Sequence, residues 1–229
     1  MNKWWADWGI ARGIERHNFL ILRIARKRIE SFPFHGRVVD LGCGKAPYKD
    51  IVLRTADEYI GVDWKNSMHD QSNVDVLADL SQPLPFDNAY ADTATSFFVL
   101  EHLTEPDFFL SECSRILRPG GWLYMLVPFL WHIHEEPYDF YRYTHYGLRY
   151  LLEKNGFSEI IIEAQTGFWQ TWWLSFNYHT TRFACGPLKY FWYPVWWLTQ
   201  IIAPVMDKIN PVHNHTHTTH YAVQARKAR

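Results

Sequence analysis

Positions 128 to 143 read Pro128-Phe129-Leu130-Trp131-His132-Ile133-His134-Glu135-Glu136-Pro137-Tyr138-Asp139-Phe140-Tyr141-Arg142-Tyr143, gathering two histidines, three carboxylates and an arginine in one stretch. Imidazole is the side chain whose ordinary pKa lies nearest neutrality, so such a stretch suits proton transfer. His134 is the first candidate for a general base and His132 the second. Asp139 and Arg142 are expected to pair and shape the loop. The blander reading is that all of them stiffen a lid, because positioning two reactants can by itself drive a reaction between them. His102, beside Glu101 at a strand-to-helix junction, reads as a hydrogen-bonded structural histidine.

A second constellation lies upstream. The apolar segment Arg37–Leu41 reads as a buried parallel strand, and it runs into Asp40-Leu41-Gly42-Cys43-Gly44. Gly42 and Gly44 allow a sharp turn and a close approach of backbone to a ligand. Asp63 ends the next apolar run, where a nucleotide ribose would lie, and Trp64 behind it could stack on a base. The third glycine of G-x-G-x-x-G would fall at position 47, which is Pro47, so a nucleoside without a pyrophosphate fits better than a dinucleotide.

The elements that position these residues follow from periodicity. A basic amphipathic helix is predicted over 10–31, a short helix over 47–54, and strands over 58–62, 74–78 and 92–100. Thr104 is a plausible cap for a helix that has Pro106 in its first turn. Arg118-Pro119-Gly120-Gly121 is expected to stop that helix and turn the chain into a strand over 122–127. A further helix runs from the cap Thr144 to Asn155-Gly156, followed by strands at 157–164 and 220–225. Strands alternating with helices predict an α/β fold with a doubly wound sheet and helices on both faces. An N-terminal segment over 1–36 would precede the main domain over 37–229. An aromatic insertion over about 168–212 would interrupt that domain before its last strand, with prolines 187, 194 and 204 breaking the insertion into short helices.

Five strings in order resemble the motifs of class I S-adenosylmethionine-dependent methyltransferases of the type 11 kind. They are Asp40-Leu41-Gly42-Cys43-Gly44, Tyr59-Ile60-Gly61-Val62-Asp63, Ala78-Asp79-Leu80 with Leu84-Pro85-Phe86, Ser96-Phe97-Phe98-Val99-Leu100-Glu101-His102-Leu103, and Arg115-Ile116-Leu117-Arg118-Pro119-Gly120-Gly121. The resemblance implies a Rossmann-like seven-stranded mixed sheet and S-adenosylmethionine as cofactor. It also implies cofactor contacts from Asp40, Gly42, Gly44, Asp63, Trp64, Asp79, Leu80 and Phe97. Asp63 would hold the ribose hydroxyls and Asp79 the adenine amine. The loop, through His134, Pro137, Asp139, Phe140, Arg142 and Tyr143, resembles a subset of the family often found among bacterial cell-surface glycan enzymes. The implied reaction is O-methylation of a small molecule, sugar or lipid-linked glycan. Two rivals are a non-catalytic S-adenosylmethionine-binding interaction protein and a nicotinamide-dependent oxidoreductase, against which Pro47 counts.

Composition bounds the partners. Lys plus Arg (23) balance Asp plus Glu (24), so no global field recruits nucleic acid. Three scattered cysteines and an opening without a signal-peptide pattern predict a cytoplasmic protein. The aromatic stretch over 168–206 is expected to form a cap or a dimer surface, with contact to a membrane surface as the second reading. His213, His215, His217 and His220 lack a recognised zinc spacing, so no metal is expected.

Overall fold

The computed structural model describes residues 17–65, 72–209 and 216–229. The chain divides into two compact units. The sheet unit comprises Ile29–Phe129, Ile133–Glu163 and Tyr221–Arg229; the helical unit comprises Met1–Arg28, Leu130–His132 and Ala164–His220.

The sheet unit is built on seven strands: β1 (Arg37–Leu41), β2 (Glu58–Asp63), β3 (Val76–Leu77), β4 (Ala91–Phe97), β5 (Leu117–Pro128), β6 (Phe157–Ala164) and β7 (His220–Lys227). Their order is β3-β2-β1-β4-β5-β7-β6, the expected seven-stranded mixed sheet. β1 pairs in parallel with β2 on one side and β4 on the other, with Val39 opposite both Ile60 and Ala94. Val38, Val39, Leu41 and the run Leu123–Val127 are almost wholly removed from solvent, as central parallel strands must be when helices cover both faces.

Among the helices, α1 (Phe19–Glu30) is the described part of the predicted basic helix, and positions 10–16 lie outside the described residues. α2 (Lys49–Val52) is a single turn, and α3 (Pro106–Ile116) buries Phe109, Leu110, Cys113 and Ile116 against the sheet. Each large apolar side chain so buried contributes on the order of 2 kcal/mol. α4 (His145–Lys154) begins at the predicted cap, where Thr144 Oγ1 accepts the Gly147 N–H at 3.1 Å.

Several boundaries differ from expectation. β3 is two residues long because the Asp75 carboxylate, at 2.8 Å, takes the Gly61 N–H in place of continued strand pairing. β4 stops at Phe97, and Phe98 adopts φ +60° and turns the chain out of the sheet. The next residues, Leu100–His102, form one 3-10 turn. Thr104 does not cap α3; Glu105 stands at the cap position and makes no side-chain cap bond. Proline at the first helical position removes one of the N–H groups a cap would satisfy. β5 starts at Leu117, so Arg118-Pro119-Gly120-Gly121 bulge within the strand where pairing skips from Ala91↔Leu117 to Thr93↔Trp122. Gly121 is required there: a Cβ would sit 2.9 Å from the Asp92 carbonyl.

The helical unit contains α5 (Phe168–Thr180) and α6 (Lys189–Ile209), together with the first part of α1. α6 runs unbroken for 21 residues with Pro194 and Pro204 inside it, which corrects the expected division into short helices. Each proline removes one backbone hydrogen bond, but side-chain bonds fasten the helix on either side of Pro204. Trp196 Nε1 donates to Thr180 Oγ1 at 2.8 Å, Thr199 Oγ1 donates to Asn177 Oδ1 at 3.0 Å, and Gln200 Oε1 accepts the Leu20 N–H at 2.9 Å. Asp207 accepts the N–H groups of Trp169 and Gln170 at 2.8 and 3.0 Å, capping the start of α5. Gly167 makes room for that carboxylate, since a Cβ would lie 2.4 Å from it.

Candidate functional site

The glycine turn at the end of β1 is held from β2. The N–H groups of Gly42 and Cys43 donate to the Val62 carbonyl at 2.8 and 3.0 Å. Gly42 adopts φ +81°, and a Cβ would meet Val99 at 2.4 Å, so conformation and packing both require glycine. Asp63 ties the turn together: Oδ2 accepts the Gly44 N–H at 2.8 Å and Oδ1 accepts the Trp64 N–H at 2.7 Å. A carboxylate offers about four acceptor positions, so a pair of hydroxyl donors, as on a ribose, fits the acceptors that remain.

Asp40 does a different job. It is buried, and it accepts the Tyr59 hydroxyl at 2.6 Å and the Thr95 hydroxyl at 2.7 Å, locking β1 to both neighbours beneath the turn. Burial pushes its carboxyl above the ordinary range, although both hydroxyls oppose the shift. Cys43 is a buried thiol pushed up to about 12 by burial and the surrounding carboxylates, which leaves it unreactive. Asp79 is exposed and accepts the Ser81 N–H at 2.9 Å, and Leu80 is buried beside it. Phe97 is a packing residue, edge-on to Tyr48 at 5.6 Å.

The turn after β4 and the loop after β5 are stitched together. The Glu101 carbonyl accepts the N–H groups of Phe140 and Tyr141 at 2.9 and 3.3 Å, and the Tyr143 hydroxyl donates to the Leu100 carbonyl at 3.2 Å. His102 Nδ1 donates to the Tyr138 carbonyl at 2.7 Å, so it is the hydrogen-bonded histidine expected. The Tyr138 ring in turn packs edge-on against Trp64 at 5.5 Å. Tyr138 thereby joins the loop to the residue that follows Asp63.

Within this framework His134 meets two carboxylates. Its Nδ1 lies 3.3 Å from Asp139 Oδ2 and its Nε2 lies 3.9 Å from Glu101 Oε1. Asp139 also takes the predicted partner Arg142 in a two-pronged pair at 2.5 and 2.6 Å, and accepts the His134 N–H at 2.9 Å. Burial alone would raise the Asp139 carboxyl, but these bonds outweigh it and hold the group down at about 2. It is therefore ionised throughout the neutral range.

Sequence reasoning passed over Glu101 as a chemical group. Its side chain is 0% exposed, and neither carboxylate oxygen has a hydrogen-bond partner. Burial lifts its carboxyl to about 8. Position within the Leu100-Glu101-His102 string was the sole sequence signal; that Phe98 turns the side chain inward is visible only in three dimensions. His132 belongs to the helical unit, where its ring stacks on Tyr178 at a centroid separation of 3.4 Å. Of the histidine run, His213 and His215 lie outside the described residues.

Residues 39–125 match the model of a family described as a methyltransferase domain. A probable S-adenosylmethionine-dependent methyltransferase of Mycolicibacterium smegmatis is 32% identical over 119 residues, covering 49% of this chain and 44% of that protein. A ubiquinone biosynthesis O-methyltransferase of Rhizobium rhizogenes is 29% identical over 142 residues, covering 54% of this chain and 57% of that protein. The chain spans about half the length of these curated relatives. A solved S-adenosylmethionine-dependent methyltransferase from Archaeoglobus fulgidus shares the fold at a TM-score of 0.60 and 19% identity, covering 99% of this chain and 100% of that one. The glycine turn, the acid that ties it and the strand order agree with these likenesses, and residues 39–125 are similar to a methyltransferase domain whose relatives are named S-adenosylmethionine-dependent enzymes.

Proposed function

We propose that this protein methylates a hydroxyl of a small, sugar-bearing or lipid-linked acceptor. One observation carries the reading: Tyr138 packs its ring on Trp64 and holds His102 through its carbonyl, so the cofactor turn and the Glu101–His102–His134 cluster share one residue. S-adenosylmethionine supplies an activated methyl group on a sulfonium sulfur. Asp63 is assigned its ribose hydroxyls, Trp64 and Asp79 its adenine, and Gly42 and Gly44 the close backbone approach. Leu80 and Phe97 form the apolar floor. The acceptor hydroxyl must lose its proton as it attacks, and His134, oriented by ionised Asp139, is assigned that proton at Nε2. His132 remains the second candidate. The relatives named O-methyltransferases support oxygen as the acceptor atom.

A lipid-linked acceptor is favoured by the distribution of polarity in α6. Its buried face carries the polar Thr199, Gln200 and Asp207 beside Trp196 and Ala203, while Phe191, Trp197, Leu198, Ile201, Ile202 and Val205 are exposed along the opposite face. Water-soluble helices are arranged the other way round. Trp and Tyr with neighbouring cations suit a lipid headgroup surface, and Arg182, Lys208 and, on α1, Arg23 and Lys27 are exposed in the same unit. No helix among the described residues is long and apolar enough to cross a membrane, so contact would be from one side.

The test is incubation with methyl-labelled S-adenosylmethionine and two acceptor panels, phenolic quinone precursors and polyprenyl-linked sugars, with products read by mass spectrometry. A labelled methyl ether is expected. Tight binding of S-adenosylmethionine with no transfer to either panel would instead support the non-catalytic interaction protein.

A further inference from the structure

We propose that Glu101, His102 and His134 form a site for a divalent transition cation of the zinc class. This deepens the function proposed above and rests on its reading of the cluster as the acceptor's position.

One carboxylate oxygen of Glu101 and one ring nitrogen from each histidine lie within 4.8 Å of one another. Glu101 Oε1 is 3.7 Å from His102 Nε2 and 3.9 Å from His134 Nε2. Ligand atoms about 2.1 Å from a tetrahedral ion stand roughly 3.4 Å apart, so both glutamate–histidine separations are within about half an ångström of that spacing.

The surroundings prepare the His102 ring for that role. The Tyr138 carbonyl can only accept, so at 2.7 Å it fixes the His102 proton on Nδ1. Ionised Asp139, clamped by Arg142, lies 3.3 Å from His134 Nδ1, and Arg142 Nη2 lies 3.5 Å from the same nitrogen. The Nε2 atoms of His102 and His134 lie 3.7 and 3.9 Å from Glu101 Oε1. Metal-binding histidines characteristically give the other ring N–H to a carbonyl or carboxylate, as His102 does. Glu101 supplies an independent observation. Both of its oxygens are fully buried without a hydrogen-bond partner, a costly state that a bound cation relieves.

Two imidazoles and one carboxylate make a three-ligand set that leaves a coordination position for substrate. The histidine rings are partly exposed, and the Glu135 carboxylate is 3.8 Å from His102 Nε2 at the outer side. A hydroxyl placed on the ion would lose its proton to water near neutral pH. The oxygen would then form a bond to the methyl carbon as the carbon–sulfur bond breaks, giving the methyl ether and the neutral thioether. With the ion in place His134 is its ligand, and the ion does what the free imidazole would do as base.

The experiment uses the full chain, stripped with chelator, with His213, His215 and His217 replaced by alanine so that the histidine run cannot compete. Zn²⁺ alone and Co²⁺ alone are then added. One Zn²⁺ per chain by elemental analysis is expected, along with visible Co²⁺ bands of a four-coordinate nitrogen–oxygen site. Glu101→Gln, nearly isosteric, should weaken Zn²⁺ at least tenfold, and Asp139→Asn by about tenfold. Thermal melts without metal establish that each variant folds. Substoichiometric Zn²⁺, or Glu101→Gln binding as tightly as the parent, overturns the site. Methyl transfer that persists in the metal-free enzyme overturns the ion's role and leaves His134 as base. One tightly held ion with no transfer to any hydroxyl upholds the site and sinks the acceptor reading instead.

Discussion

Asp139 Oδ2 accepts Arg142 Nη2 at 2.6 Å and lies 3.3 Å from His134 Nδ1, and that arginine nitrogen is itself 3.5 Å from the ring. This one carboxylate, which also accepts the His134 backbone N–H at 2.9 Å, helps to orient the ring near Glu101. Asp139→Asn keeps the shape but offers an amide that can present N–H to Nδ1. Turnover should fall about 10- to 100-fold, with binding of S-adenosylhomocysteine unchanged by calorimetry. Undiminished turnover would show that the ring's orientation does not matter to the reaction.

Asp63 accepts the backbone N–H groups of Gly44 and Trp64, and we propose that it also holds the cofactor's ribose. Asp63→Asn removes the charge that strengthens every one of these bonds. Charge-assisted hydrogen bonds contribute roughly 1.5–3 kcal/mol each, so the Kd for S-adenosylhomocysteine should rise about 10- to 100-fold. A Kd within twofold of the parent would move the ribose elsewhere.

His220 gives a pH dependence of stability. It is fully buried, and burial drives its imidazole from the usual 6.5 down to about 3. The unfolded chain therefore binds the proton first. The native state keeps its full advantage above pH 6.5 and loses it as pH falls toward 3, by about 3 kcal/mol at pH 4.5. Urea unfolding at pH 7, 5.5 and 4.5 should show this decline, flattened in His220→Gln. Parallel declines in the two proteins would assign the effect to other groups.

The outward face of α6 predicts partition onto lipid. Trp197 and Ile201 are exposed on it, and neither makes the buried polar contacts of Thr199 and Gln200. The double change to glutamate should lower co-sedimentation with anionic vesicles at least tenfold while leaving S-adenosylhomocysteine affinity intact. If the parent protein stays in the supernatant, the lipid reading fails. A dimer by light scattering that the same change dissolves would give this face to a second copy of the chain.

The sequence by itself determined the sheet, the glycine turn and the loop's internal pair. Strands such as Val38–Leu41 and Leu123–Val127 are continuous apolar runs because both faces are covered, and that pattern is local. Asp40-Leu41-Gly42-Cys43-Gly44, Thr144 as a cap, and the spacing of Asp139 and Arg142 are local too, since each acts on residues a few positions away. Proline chemistry misled where neighbours overrode it: α6 passes through Pro194 and Pro204 because Asn177, Thr180 and Leu20, distant in the chain, fasten it. Only tertiary structure decided the chemical cluster. Glu101 and His134 are 33 positions apart, and the tight turn at Phe98 with the Tyr138 carbonyl bond brings them within 4 Å. Burial, which no single residue carries in its own name, then turned Glu101 from one more surface-type carboxylate into the most exceptional group of the site.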